Sequence, residues 1–220
     1  MKEQIRELVL GLGADDCGFA HIDAFAGAPE GFHPTDIYND CRSVVVFVKR
    51  IANGLKQVSP RIVYYHTNIQ ILNEIDRISR EASILIEDLG GTAVPMPCDD
   101  PYEYWDKESK TGRGLLSMRH AAMLSGMGSL GKNTLFIHKK YGNMVNIGLL
   151  LTNLELTSDP PSKDLCIAGC TLCLTNCPSG ALDGVTVIQK RCREHTFSNN
   201  EKGYDICNCN TCRVICPAVR

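Results

Sequence analysis

The sequence CIAGCTLCLTNCP at residues 166–178, followed by CNTCRVICP at residues 209–217, decides how the C-terminal part of this chain folds. Nine of the twelve cysteines lie between Cys166 and Cys216, and both stretches end in Cys-Pro. Two residues between cysteines let neighbouring thiolates turn towards one metal centre, whereas the cysteine before proline ligates the other centre. The spacing therefore predicts two cubane [4Fe–4S] clusters with interlocked ligands.

Disulfide bonds and zinc are the alternatives for cysteines at this density. Disulfides need an oxidising compartment, but residues 1–5 open an amphipathic segment without the apolar core of a signal peptide. Structural zinc sites usually take two separated cysteine pairs, and neither stretch has that form. We therefore expect a cytoplasmic iron–sulfur protein.

Length and composition predict one larger domain with a small module attached to it. The chain has 220 residues, of which 1–165 contain only three cysteines, so this part needs an ordinary apolar core. A net charge of −2 gives no electrostatic reason to expect nucleic acid as a partner. No apolar run reaches the roughly 18 residues of a membrane span. We place the boundary at the Pro-rich junction, giving domains of residues 1–160 and 161–220.

Hydrophobic periodicity predicts alternating helices and strands before that junction. Helical spacing covers residues 5–12 and, much longer, residues 71–89, with Thr67 or Asn68 as the expected helix cap. Residues 17–22 and 43–48 read as strands, the second apolar enough to be buried on both faces. We therefore expect an α/β or α+β sheet domain with flanking helices, followed by a ferredoxin-like two-[4Fe–4S] module.

A glycine-rich segment, GMGSLGKNTL at residues 126–135, imitates nucleotide-binding motifs. Both G-x-G-x-x-G and the Walker A loop require a strand before the glycines and a helix after them, so that phosphate meets a helix N-terminus. Here a helix is predicted before the segment and a strand after it. Asn133 also stands where Walker A needs a hydroxyl for magnesium. The segment therefore does not predict a nucleotide site.

Residues 98–114 carry charge, aromatic rings and glycine without periodicity, which indicates a long and functional loop. Tyr102, Tyr104 and Trp105 either close over a flat cofactor or anchor the loop to the core. Cys98 stands beside Asp99, whose charge raises a thiol pKa, so a nucleophilic role is not expected.

The glycine segment, the LTNLEL sequence at residues 151–156 and the cysteine module together resemble the epoxyqueuosine reductases and their relatives, the reductive dehalogenases. The resemblance covers roughly residues 1–217, with its specific motifs confined to residues 120–217. It implies a cobalamin bound beside the clusters, reduced through them and acting on a small organic substrate. The residues expected to contact this cofactor are Gly126, Gly128, Ser129, Gly131, Lys132 and Asn133.

The resemblance also implies a division of the cluster ligands. One [4Fe–4S] cluster takes Cys166, Cys170, Cys173 and Cys216, and the other takes Cys177, Cys192, Cys209 and Cys212. Cys207 is the spare cysteine and an alternative to Cys192. The extra residue before Cys170 is absorbed if Gly169 adopts a positive φ.

The chain departs from the resemblance at the proton donor. The catalytic aspartate of epoxyqueuosine reductases falls, counting back from Gly126, on Gly112, so the donor is unassigned. The sequence ends four residues after Cys216, without the C-terminal helical repeats of the tRNA-acting relatives. We expect a reductase with a small-molecule substrate and a flavodoxin or ferredoxin as electron donor. The alternative is an electron-transfer protein that docks a redox partner and binds no cobalamin.

Overall fold

The computed structural model describes residues 1–58 and 62–218. Its helices are α1 (Lys2–Gly11), α2 (Pro34–Ile37), α3 (Ile62–Asp88), α4 (Met118–Leu124), α5 (Leu172–Thr175), α6 (Gln189–Thr196) and α7 (Thr211–Val214). Its strands are β1 (Asp16–His21), β2 (Ser43–Arg50), β3 (Ala93–Pro95), β4 (Tyr104–Asp106), β5 (Thr111–Arg113), β6 (Gly128–Leu130), β7 (Phe136–His138), β8 (Val145–Thr152), β9 (Phe197–Asn199) and β10 (Asp205–Cys207).

A four-stranded sheet with the order β1-β2-β8-β3 forms the centre of the fold. All three strand pairs are antiparallel, which decides for α+β between the two predicted fold classes. Residues 43–48 of β2 are buried on both faces, as predicted. Val45 and Phe47 point into a core with α1 and α3, whereas Val44 and Val46 point into a core with α4. This alternation follows from the two-residue period of a strand.

Two local predictions were wrong. Helix α3 already contains Val63, and the Thr67 hydroxyl donates to the Val63 carbonyl inside the helix, so Thr67 does not cap it. Asn68 instead accepts a hydrogen bond from the Asn146 amide of β8 at 2.8 Å. The segment 98–114 is not a plain loop, because β4 and β5 form a hairpin in it. The Thr67 hydrogen bond and the hairpin both join residues that are close in sequence, but neither shows in the hydrophobic period of the chain.

The junction before the cysteine module is fixed to the start of the chain. The carboxylate of Asp159 accepts hydrogen bonds from Arg6 at 3.0 and 3.1 Å and from the Phe19 amide at 3.1 Å. The ammonium of Lys2 lies 2.8 Å from the same carboxylate. These contacts set where the module leaves the sheet. In the part of the chain described, no helix has the length and apolarity needed to cross a bilayer.

Candidate functional site

The first four predicted ligands line a single cavity. Cys166, Cys170, Cys173 and Cys216 face it together with residues 131–133 of the glycine segment, and the cavity holds ≈ 330 Å³ of space that opens to solvent. Burial, followed by the charges of the other cysteines in this group, raises the pKa of the Cys173 thiol. Four sulfurs around one cavity supply the number of ligands that a metal centre bound by four thiolates requires.

The other four predicted ligands form a second group. Burial raises the pKa of the Cys212 thiol to about 11, and Arg213 opposes this rise. The remaining contributions come from its neighbours, which are Cys192, Cys209 and Cys177. Three of the four members come from α6, from α7 and from the turn just before α7, and the fourth comes from the first Cys-Pro sequence. The structure therefore brings together residues that the chain separates by up to 35 positions.

Two kinds of metal centre take four cysteine ligands, a tetrahedral zinc and a four-iron cubane. Among residues 1–58 and 62–218, no group of three or more His, Cys, Asp or Glu is arranged to hold one metal ion. The preference for a cubane over zinc therefore rests on the Cys-Pro spacing of the sequence and stays a prediction.

Cys177 differs from the other ligands in its surroundings. Its sulfur lies 3.5 Å from the Ser179 hydroxyl, and the backbone amides of Ser179, Ala181 and Leu182 also donate towards it. Burial raises the pKa of this thiol, but the hydrogen bonds outweigh it and the net pKa is lowered. Hydrogen bonds to a cluster sulfur stabilise its anionic form and raise the reduction potential.

Two details of the module concern Gly169 and Cys207. Gly169 has φ +74°, which confirms the positive φ predicted for the extra residue before Cys170. The Cys207 sulfur lies in β10, 3.6 Å from the Cys209 carbonyl, and feels the charge of Cys192. It therefore borders the second group. The choice between Cys192 and Cys207 as a ligand stays a prediction.

The polar side chains of the glycine segment hold the cysteine module. Lys132 Nζ donates to the Cys170 carbonyl at 2.9 Å, and Asn133 Nδ2 donates to the Cys212 carbonyl at 3.0 Å. Ser129 Oγ accepts from the Leu165 amide at 2.9 Å. Lys132 thus anchors the first cysteine stretch, and Asn133 anchors the second.

The glycines of the segment pack against the chain itself. A Cβ on Gly126 would lie 2.2 Å from the Pro160 carbonyl oxygen, and one on Gly128 would lie 2.0 Å from the Ile137 oxygen. A Cβ on Gly131 would lie 2.6 Å from Asn133 Oδ1. Hydrogen bonds use the side chains of Ser129, Lys132 and Asn133 within the protein, and the contact of the six residues with cobalamin stays a prediction.

Two of the three aromatic residues of the segment 98–114 anchor it to helix α6, whereas the Tyr104 ring lies 5.8 Å from the Phe32 ring. The guanidinium carbon of Arg193 lies 5.1 Å from the Tyr102 ring centroid and 5.0 Å from that of Trp105. Gln189 exchanges two hydrogen bonds with the backbone of Gly112, at 3.0 and 3.1 Å. The sequence offered the aromatic residues but no sign of their partners on α6. Gly112, where the catalytic aspartate was expected, is one of the anchored residues.

The structure also shows two polar features that the sequence did not indicate. His138 is buried and lies 3.0 Å from Asp16 through Nε2, while its Nδ1 accepts the amides of Lys140 and Tyr141. These amides make Nε2 the protonated atom, so His138 donates to Asp16. Asn143 is fully buried, and its side-chain amide has no hydrogen-bond partner among the described residues.

Two histidines near the site, His120 and His195, and two residues of the segment 98–114 contribute less to it. His120 is exposed and bonded to Ser117 at 2.7 Å, and desolvation followed by the charge of Arg119 lowers its pKa. His195 is exposed. Burial, then Asp76, raises the pKa of the Cys98 thiol, in agreement with the expected lack of nucleophilic character. Desolvation, then the charge of Asp100, raises the pKa of Asp99, a carboxyl of the segment where a proton donor was sought.

Comparison with curated proteins finds epoxyqueuosine reductases, whereas no family model matches the chain. The enzyme of Bacillus cereus is 31% identical over 154 residues, which cover 64% of this chain and 36% of that protein. The enzyme of Bacillus subtilis is 25% identical over 255 residues, covering 99% of this chain and 63% of that protein. The chain thus spans between about a third and two thirds of these relatives.

Solved structures give the same result for the fold. An epoxyqueuosine reductase bound to an epoxyqueuosine-modified tRNA stem loop has a TM-score of 0.67 at 22% identity, covering 99% of this chain and 64% of that one. The reductive dehalogenase NpRdhA has a TM-score of 0.73 at 16% identity, covering 99% and 32%. The chain is therefore a relative of the epoxyqueuosine reductases, and it shares its fold with them and with reductive dehalogenases.

Proposed function

We propose that this chain is an iron–sulfur oxidoreductase that carries electrons through two [4Fe–4S] clusters. The observation that supports it is the sorting of eight cysteines into two groups. Each group takes the cysteine that precedes proline from the other cysteine stretch, as interlocked ligation requires. The proposed ligands are Cys166, Cys170, Cys173 and Cys216 for one cluster, and Cys177, Cys192, Cys209 and Cys212 for the other.

The domain division follows from this proposal. Residues 1–160 form the sheet domain, and residues 161–220 form the ferredoxin-like module, whose last two residues, Val219 and Arg220, lie outside the described part. Lys132 and Asn133 position the two cysteine stretches from the sheet side. The amides around Cys177 act on the electrostatics of the second cluster. The clusters themselves supply one-electron redox chemistry.

The ligand assignment is tested with a pair of variants. Anaerobic reconstitution of the wild type should give about eight iron and eight sulfide per chain. Cys177→Ala should damage the second cluster and leave the electron paramagnetic resonance signal of the first, whereas Cys216→Ala should do the reverse. If each variant loses the cluster of its own stretch, the interlocked assignment is wrong. Stoichiometric zinc without sulfide would contradict the clusters altogether.

The final electron acceptor separates two versions of this function. In the first, the chain is a reductase of the epoxyqueuosine reductase type, and electrons reach a cobalamin that reduces a small organic substrate. In the second, the chain is an electron-transfer protein without cobalamin. The likeness to epoxyqueuosine reductases supports the first version. The internal hydrogen bonds of Ser129, Lys132 and Asn133 and the glycine at position 112 are the observations on the side of the second version. Titration of the cluster-loaded protein with cob(II)alamin, followed by its absorption spectrum, decides between them.

The comparison with solved structures also bears on the partners of this chain. An epoxyqueuosine reductase has been solved with a modified tRNA stem loop, and this finding speaks against the expectation that nucleic acid is no partner. A small organic molecule and a modified tRNA are both substrates to test for the reductase version. The electron donor is a flavodoxin or a ferredoxin, and the compartment is the cytoplasm.

A further inference from the structure

An open cleft lies between the β4–β5 hairpin and helix α6. It has a volume of ≈ 290 Å³, and its lining is Trp105, Lys110, Arg193, Glu194 and Phe197. This volume lies at the lower end of binding sites for small molecules, which commonly fall between about 300 and 1,000 Å³. No predicted ligand or glycine-segment residue lines this cleft, so it is separate from the site described above.

The cleft carries two half-exposed aromatic rings. Trp105 is 50% exposed and Phe197 is 52% exposed. Each ring belongs to a different element, Trp105 to β4 and Phe197 to β9, so the two rings border the cleft from separate parts of the chain. Exposing a large apolar ring to water is unfavourable, so a planar ligand that stacks on the ring and covers it binds with a gain in free energy.

The same cleft has a cationic character at Arg193. This guanidinium is held by Gln189 Oε1 at 3.3 Å and by the Tyr102 and Trp105 rings, and none of the ion pairs found among the described residues involves it. Lys110 pairs with Glu194 at 3.2 Å. The charge of Asp99 also acts on Arg193, but no carboxylate of the described residues forms an ion pair with it. The arrangement suits a planar aromatic group that carries negative charge, because stacking and this cation act together.

The position of the cleft relates it to the second cysteine group. Arg193 and Glu194 follow Cys192 directly on α6, and Phe197 is the cross-strand partner of Cys207 in the β9–β10 pair. Opposite residues in such a pair have Cβ atoms about 5 Å apart. A ring stacked in the cleft therefore comes next to the cysteines that border the second cluster.

We propose that this cleft receives the isoalloxazine ring of a reduced flavin, either free flavin mononucleotide or the flavin of a flavodoxin. The proposal rests on the proposed function, because the electrons pass to the second cluster. Each transfer takes one electron from the reduced flavin and gives it to the cluster, while no covalent bond forms or breaks. A ferredoxin offers no exposed ring for the two aromatic walls. The observations therefore favour a flavin as the electron donor.

Trp105 makes the test specific, because it is the only tryptophan of the chain. Flavin mononucleotide added to the anaerobically reconstituted protein should quench its tryptophan fluorescence in a saturable way. Phe197→Ala should weaken this binding about tenfold, the effect of losing one aromatic stack. Tyr204→Ala removes another exposed ring from the same hairpin and should leave the affinity unchanged. The same variant shows how much fluorescence is lost only because the flavin absorbs light.

The second arm uses the protein-bound flavin. Reduced flavodoxin should reduce the wild-type clusters, and Phe197→Ala should slow this step about tenfold while the rate with dithionite is unchanged. Dependence on Phe197 with flavodoxin alone identifies a protein-bound flavin as the ligand. Independence from Phe197 in both arms overturns the proposal, and so does quenching by single-stranded RNA in place of flavin. Flavin quenching in a protein that binds no iron or sulfide would contradict the proposed function but not the flavin site.

Discussion

Asn133 connects the sheet domain to the second cysteine stretch, and removing its amide should loosen the cluster module. The residue is 3% exposed. Its Nδ2 donates to the Cys212 carbonyl at 3.0 Å, and its Oδ1 accepts from the Leu135 amide at 3.1 Å. Asn133→Ala deletes both bonds at about 1 kcal/mol each, so we expect a loss of about 2 kcal/mol, or roughly 30-fold in the folding equilibrium.

Two assays follow this loss in anaerobically reconstituted protein. Urea unfolding gives the change in the free energy of unfolding, and the rate of iron release to a chelator reports the hold on the cluster. Asn133→Asp keeps the acceptor for the Leu135 amide but removes the donor to the Cys212 carbonyl. It should therefore speed iron release even where the turn is retained. Asn39→Ala, at an exposed asparagine of the sheet domain, is the control.

The reasoning is refuted if Asn133→Ala stays within about 0.5 kcal/mol of the wild type, the usual range of a neutral surface substitution. It is also refuted if the variant is destabilised while iron release stays at the wild-type rate. In that case the asparagine would serve only the turn between β6 and β7.

Three further predictions concern packing, pH and the α6 anchor. Gly128→Ala should destabilise the protein strongly by urea unfolding, since its Cβ would lie 2.0 Å from a backbone oxygen, whereas Gly11→Ala in open space should be neutral or stabilising. Burial raises the pKa of Asp16, but the hydrogen bonds from His138 and the Cys17 amide, together with the charges of His138 and Lys139, outweigh it and the net pKa is lowered. The stability that this pair contributes should be complete above about pH 4 and lost as the pH falls through the lowered pKa, a dependence that Asp16→Asn should reduce. Gln189→Ala should expose residues 102–113 to limited proteolysis, because it removes both bonds to Gly112.

Much of the fold follows from local patterns. Three features were predictable from the sequence: the burial of residues 43–48 on both faces, the first helix, and the positive φ of Gly169. The hydrophobic period and the conformational freedom of glycine each depend on only a few neighbouring residues. The resemblance also implied how the cysteines divide between two clusters. Cluster ligation itself stays a prediction.

Tertiary structure decided what the glycine segment and the segment 98–114 do. The antiparallel sheet, the hydrogen bond of Lys132 to Cys170, and the contacts of Gln189 and Arg193 all join residues 22 or more positions apart. The hydrophobic periodicity of the sequence does not predict such contacts, because each depends on where the folded backbone places a donor beside an acceptor. The sequence by itself determined the elements, the cysteine spacing and the likeness to epoxyqueuosine reductases. Only the folded chain shows that the glycine segment holds the cysteine module. The sequence does not reveal whether the amide of an asparagine is free or hydrogen-bonded within the protein.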